Sequence, residues 1–300
     1  MVFGLDALHP EAASAQIEGA LPRATQLPGS VRAMGMGDAY QMGSGHADAL
    51  FYNPALLTSA RGFGLEVQRW GPAGSASAAS AALQWLGGGV GIGLRTLQFA
   101  AGGVGSLAAP AGQDDLFEVG STPASERVAT LAYAREGFAG IDLGVAISLV
   151  DERVGGEQHT VTLFDVGAST DVGPVILGLT VHELGTKPVL DSGDGPSRVS
   201  LGAGNYGQQI GPLDFGFAAK VGLDDDEVTY GGGVEVGYWP VQGRTFVARL
   251  GIEDVPDGSD ALPLTTGFAY WGDNLTLEWA YRPVSDADEG GTHRFGVRWR

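Results

Sequence analysis

Cysteine is absent from the 300 residues, so the chain has no disulfide framework, no thiolate metal site and no cysteine nucleophile. Lysine is nearly absent: Lys187 and Lys220 are the only two, and the formal net charge is −18. Phosphate binding needs clustered Lys and Arg, so this composition argues against nucleic acid as a partner. Charged residues make up 17% of the chain against 44% hydrophobic ones, a balance that does not fit a disordered polymer. Long apolar runs are missing too. The one candidate, Ala73 to Leu94, carries Gly87-Gly88-Gly89, which is costly inside a helix, so it reads as two strands joined by a glycine turn.

Glycine is plentiful, at 50 residues, and a β-rich chain with many tight turns fits that number. From Gly62 onward, apolar residues alternate with polar or small ones. Val90, Ile92 and Leu94 alternate in this way, as do Ile141, Leu143, Val145, Ile147 and Leu149, and Leu275, Leu277, Trp279 and Tyr281. Period-2 alternation marks half-buried strands. About 14 such segments follow, each near the ~9–11 residues a tilted strand needs to cross a bilayer. The expected fold is all-β: an antiparallel transmembrane β-barrel of about 14 strands, with residues 61–300 as the barrel and both termini periplasmic. Short turns are expected at the periplasmic end. Longer links, including Ala100 to Glu126, Asp151 to Gln158 and Glu183 to Ser197, are expected outside. Acidic residues such as Glu126, Glu183, Glu253 and Asp224 to Asp226 fall on or beside those links, which gives a negative outer rim. Trp299, Trp279, Tyr281, Tyr270 and Tyr238 are the expected interfacial aromatics, and outer-membrane lipid is the expected surroundings.

If the apolar face meets lipid, the other face lines the lumen. It carries Glu66, Asp142, Asp165, Asp214, Glu235 and Glu278 against Arg95, Lys220, Arg249, Arg282, Arg294 and Arg298. Balanced signs imply cross-strand ion pairs, because unpaired burial would cost several kcal/mol per charge. Such a face does not read as an apolar tunnel along the whole axis.

Ser30 to Leu57 reads neither as strand nor as turn. Asn53 suits a helix N-cap and Pro54 the first helical position, with Ala55, Leu56 and Leu57 following. His46 to Phe51 suits a short helix, and Gly35 and Gly37 suit a backbone pressed against a wall. Residues 30–60 are therefore expected to form a lumen plug. Within it, Met34, Met36, Phe51 and Leu56 are the candidates for a local apolar pocket. Residues 1–29 read as a periplasmic tail in which Ala13-Ser14-Ala15 resembles the end of a signal cleavage region.

The order Arg32-Ala33-Met34-Gly35-Met36-Gly37-Asp38-Ala39-Tyr40, then Asp48-Ala49-Leu50-Phe51-Tyr52-Asn53-Pro54-Ala55-Leu56-Leu57, resembles the N-terminal signature of the PorV/PorQ group of FadL-like outer-membrane proteins. Arg32, Gly35, Gly37, Asp38, Asp48, Asn53 and Pro54 carry that resemblance. Gln41 to Gly45 and Leu56 depart from it. The resemblance implies a 14-stranded barrel with its N-terminal segment in the lumen. It also implies an accessory role in type IX secretion, with secretion-machine or exported proteins as partners. The wider FadL-like resemblance implies diffusion of hydrophobic small molecules, with the plug as gate.

Enzyme motifs fail on context. Gly202-Ala203-Gly204-Asn205-Tyr206-Gly207 matches G-x-G-x-x-G but has no following helix. The five histidines lack zinc-ligand spacing, and Asp191 to Gly195 does not fit an EF-hand loop. Ser44 beside His46 makes no triad by adjacency alone. No enzyme activity, cofactor or metal is expected.

Overall fold

The computed structural model describes residues 23–40, 45–70, 74–101, 122–154, 157–185, 198–224, 227–255, 262–284 and 291–300. Ala13-Ser14-Ala15, Gln41 to Ser44, Asp191 to Gly195 and most of the proposed acidic loops lie outside them.

Fourteen antiparallel strands close into one barrel. They are β1 (Gly62–Trp70), β2 (Gly74–Trp85), β3 (Gly88–Ala101), β4 (Thr122–Glu136), β5 (Ile141–Val154), β6 (Glu157–Val172) and β7 (Val175–Gly185). The second half comprises β8 (Arg198–Ile210), β9 (Leu213–Asp224), β10 (Glu227–Val241), β11 (Arg244–Glu253), β12 (Leu264–Trp271), β13 (Leu275–Arg282) and β14 (Thr292–Trp299). Each strand pairs with its sequence neighbours, and β1 closes on β14 with Phe63 opposite Trp299. Closure leaves no sheet edge, which a lipid-exposed sheet requires. No helix among the described residues is long and apolar enough to cross a membrane.

The alternation sorts side chains as the pleat demands. Leu65, Ile92 and Leu149 point outward and expose 54%, 57% and 52% of their surface, while Glu66, Ala132 and Arg298 point inward and are buried. Turns at the end holding Gly62 and Trp299 are short, for example residues 86–87, 173–174 and 242–243. The far end is mixed. Residues 102–121 and 186–197 make long connections, but Asp151 to Gln158 is strand nearly throughout, with Val154 opposite Glu157. Long strands explain this difference: β5 and β6 run to 14 and 16 residues, beyond what a bilayer needs.

Inside the barrel sits the N-terminal segment: α1 (Arg23–Gln26), α2 (Val31–Met34), and 3-10 turns at Ala47–Phe51 and Pro54–Thr58. Asn53 caps the last of these, its Oδ1 accepting from Ala55 N at 3.0 Å. Residues 23–29, expected in a periplasmic tail, are in fact packed: Ala24 and Leu27 are buried. Ala24 N donates to Glu126 at 2.7 Å.

Candidate functional site

The lumen is organised by the way the segment meets the wall. Its backbone runs so close to β10, β11 and β12 that side chains are excluded on both sides. Gly37 has φ +64, and a Cβ there would lie 1.9 Å from Ile252 O. Gly37 O would in turn meet a Cβ on Gly231 at 2.0 Å. On the opposite side, the 3-10 turn Pro54–Thr58 presses on β5, where a Cβ on Gly144 would fall 2.3 Å from Ala55 N. Asn53 Nδ2 donates to Ala168 O at 3.1 Å, and Thr58 Oγ1 to Asp142 Oδ2 at 2.6 Å.

Charges then clamp the segment to the wall. Arg32 pairs with Glu235, and Asp38 with Lys220. Asp48 forms an ion pair with Arg298, Oδ2 to Nη2 3.0 Å. Behind these contacts the wall is linked in a chain. Arg249 reaches Glu235 at 3.0 Å and Glu278 at 2.8 Å, and Arg298 reaches Glu278 at 2.5 Å. Arg294 reaches Glu66 at 2.8 Å and Gln68 at 2.7 Å. Four arginines thus face four carboxylates, all buried. Arg282 pairs with Glu253. Glu126, Glu183 and Glu253, expected on the outer rim, are buried lumen residues instead.

Two titratable groups of the segment respond to this setting. His46 accepts a hydrogen bond from Arg300 at 3.2 Å, and burial with Arg298 and Arg32 nearby holds its pKa well below the usual histidine range. Burial and the Asp38 carboxylate push the Tyr52 phenol well up, and its hydroxyl bridges Gly29 N and Asp38.

Of the four apolar candidates only Phe51 and Leu56 are brought together. Met34 packs with Val31 and Ala280, and Met36 with Ala39 and Ala218. Phe51 and Leu56 join a third cluster with Leu50, Leu57 and wall alanines. They seat the segment at separate places on the wall. A different apolar surface exists: Leu97, Val128, Val150 and Leu163 face inward from β3 to β6, and Ala24 and Leu27 lie on them. The sequence carries a signal for it. Adjacent apolar pairs such as Leu149-Val150 and Leu163-Phe164 put one member on each face, which a strand against a purely polar lumen does not need.

At the short-turn end a cavity of about 440 Å³ separates the segment from β9 to β13. Its lining is mixed, with Arg32, His46, Asp214, Asn274 and the last residue, Arg300, beside Phe215, Val247 and Trp271. Asp214 faces this cavity, whereas Asp165 lies far along the wall against His182, 3.6 Å away. Arg95 donates to Thr25 O at 3.3 Å and covers the Phe51 ring. Among the described residues no cluster of His, Asp and Glu is arranged to hold a metal.

Fold and lumen together define a transmembrane β-barrel whose interior is filled by its own N-terminal segment. No protein-family model matches the chain, and no curated protein matches it in sequence. Solved structures share the fold. The Pseudomonas putida toluene transporter TodX is 11% identical, with 94% of this chain and 96% of that one covered and a TM-score of 0.55. A TodX mutant described as a monoaromatic hydrocarbon channel gives 12%, 91%, 97% and 0.58 for the same measures. A Pseudomonas aeruginosa FadL homologue gives 12%, 90%, 95% and 0.51. The barrel is thus of the FadL-like fold.

Proposed function

We propose that this protein is an outer-membrane channel through which small hydrophobic molecules diffuse, with both termini periplasmic and the N-terminal segment controlling passage. One observation carries the reading: an apolar surface built from Leu97, Val128, Val150 and Leu163 faces the lumen, where a water-filled pore presents polar side chains. The likeness to a toluene transporter and a monoaromatic hydrocarbon channel supports it. The test is uptake of toluene into liposomes bearing the purified barrel. Entry above protein-free liposomes is expected, with loss of that excess when Leu97 and Leu163 are replaced by Asp. An inert barrel would remove the reading.

The second reading, accessory to type IX secretion, rests on the resemblance of Arg32 to Leu57 to the PorV/PorQ signature. It predicts recovery of secretion-machine or exported proteins with the tagged barrel from outer membranes, and cargo retained in the periplasm after deletion. Normal surface delivery in the deletion strain would end it.

A further inference from the structure

Strand β7 meets β6 across a bulge. Val166 pairs with Val181 and Phe164 with Leu184, so His182 and Glu183 together oppose the single residue Asp165. Strict alternation would send Glu183 to the lipid side, because its neighbour His182 faces the lumen. The bulge turns it inward. Glu183 takes φ 63 to do so, a left-handed conformation that non-glycine residues adopt at a cost and that gathers at functional sites.

The carboxylate placed there has no hydrogen bond. Glu183 is 7% exposed, and among the described residues neither Oε1 nor Oε2 has a hydrogen-bond partner. Arg198 Nη2 stands 3.9 Å from Oε1, beyond hydrogen-bond reach. Thr180, on the same face of β7, is fully buried, and its Oγ1 is also without a partner. Asp165, by contrast, accepts from Glu183 N at 2.8 Å and has His182 beside it. Other lumen groups, among them Asp214 Oδ1 and Thr292 Oγ1, also lack a hydrogen bond, but Glu183 combines the condition at both carboxylate oxygens with the bulge and the left-handed backbone that turn it inward. The apolar surface adjoins Glu183 and Thr180: Leu163 is two residues from Asp165 on β6, and Leu97 two residues from Arg95 on β3.

We propose that Glu183 and Thr180 are the polar end of a binding site in the lumen for small, uncharged, largely apolar molecules that carry one hydrogen-bond donor, a hydroxyl or an N–H. The donor meets the Glu183 carboxylate, and the apolar body takes the place of Ala24 and Leu27 on the surface around Leu97 and Leu163. Arg95 and Arg198 beside the carboxylate disfavour a cationic ligand, while Asp165 and Glu183 disfavour an anionic one. This inference rests on the channel reading and narrows its substrate class from hydrocarbons to their hydroxylated or N–H-bearing relatives.

The test compares 1-naphthol with naphthalene, which share a body and differ in the donor. Isothermal titration into the full-length barrel in nanodiscs, corrected against empty nanodiscs, gives both affinities. The wild type is expected to prefer 1-naphthol by about tenfold or more, as sites built to bond a hydroxyl discriminate strongly. Glu183→Gly suits the left-handed backbone and removes the carboxylate, so it keeps the barrel folded. It is expected to lower 1-naphthol affinity to that of naphthalene and leave naphthalene unchanged, while Glu183→Gln, which keeps an acceptor, restores part of the preference. Equal wild-type affinities, or a preference that survives Glu183→Gly, would overturn the site and leave the channel standing. If neither probe binds, the channel reading falls, and the site with it.

Discussion

His46 shows how one residue reports on the seating of the whole segment. It is buried among Arg32, Arg249, Arg298 and Arg300, which together favour its neutral form. Released to water it would titrate near 6.5. A histidine whose seated pKa is depressed contributes stability that is present above the released value and is lost as pH falls below it, because only the released form takes up the proton. Protection of the segment from added protease should therefore weaken from pH 7 to pH 5. His46→Gln, which keeps an acceptor for Arg300 and cannot titrate, should flatten that slope. A wild-type profile identical to the variant's would refute the assignment. The clamp itself is tested by its partners. Glu235→Gln strips both Arg32 and Arg249 of a carboxylate and should cost about 3–5 kcal/mol, the range for breaking a buried pair. Arg32→Met leaves Glu235 paired with Arg249 and should cost less. Thermal unfolding of the two variants in the same detergent gives the order.

At the level of elements, the 3-10 turn Pro54–Thr58 is a tight joint between segment and wall. Asn53→Ala removes the cap and the bond to Ala168 O and should destabilise by about 1–2 kcal/mol. Gly144→Val puts a branched side chain where even a Cβ lies 2.3 Å from Ala55 N, so the turn must lift, at a cost of about 1–3 kcal/mol or more. Loss of segment protection without loss of the barrel's heat resistance is the expected signature of Gly144→Val, and an unchanged segment would show that the wall yields instead. These joints were legible beforehand: Asn53-Pro54 spells a capped turn, and alternation from Gly62 spells strands. The bulge at Glu183 was not, because one extra residue in a strand looks like a strand end when the following residues read as loop. The buried Glu126, Glu183 and Glu253 were misplaced for the same reason. Acidic residues near the ends of long strands share the composition of solvated loops, and only register distinguishes them.

For the molecule as a whole, strand count and closure followed from period and from the need to pair every edge, whereas the path through the lumen depends on contacts between residues far apart in sequence. The segment is clamped from Arg32 to Thr58 by ion pairs, close backbone contacts and hydrogen bonds, while no ion pair between the described residues ties 23–29 to the wall, which they meet through Ala24 N to Glu126, Arg95 to Thr25 O and the packing of Ala24 and Leu27. Regions with fewer buried contacts open at lower free energy. Passage should therefore need movement near α1 and leave the clamp seated. Because the chain has no cysteine, Asp38→Cys with Lys220→Cys places two thiols at a single clamp contact, and a short bismaleimide can join them. Toluene uptake by linked and unlinked protein should agree within about twofold if the clamp stays shut during transport. Uptake abolished by the link and restored in the unlinked double variant would mean that the whole segment leaves the lumen, and the route would then run down the barrel axis.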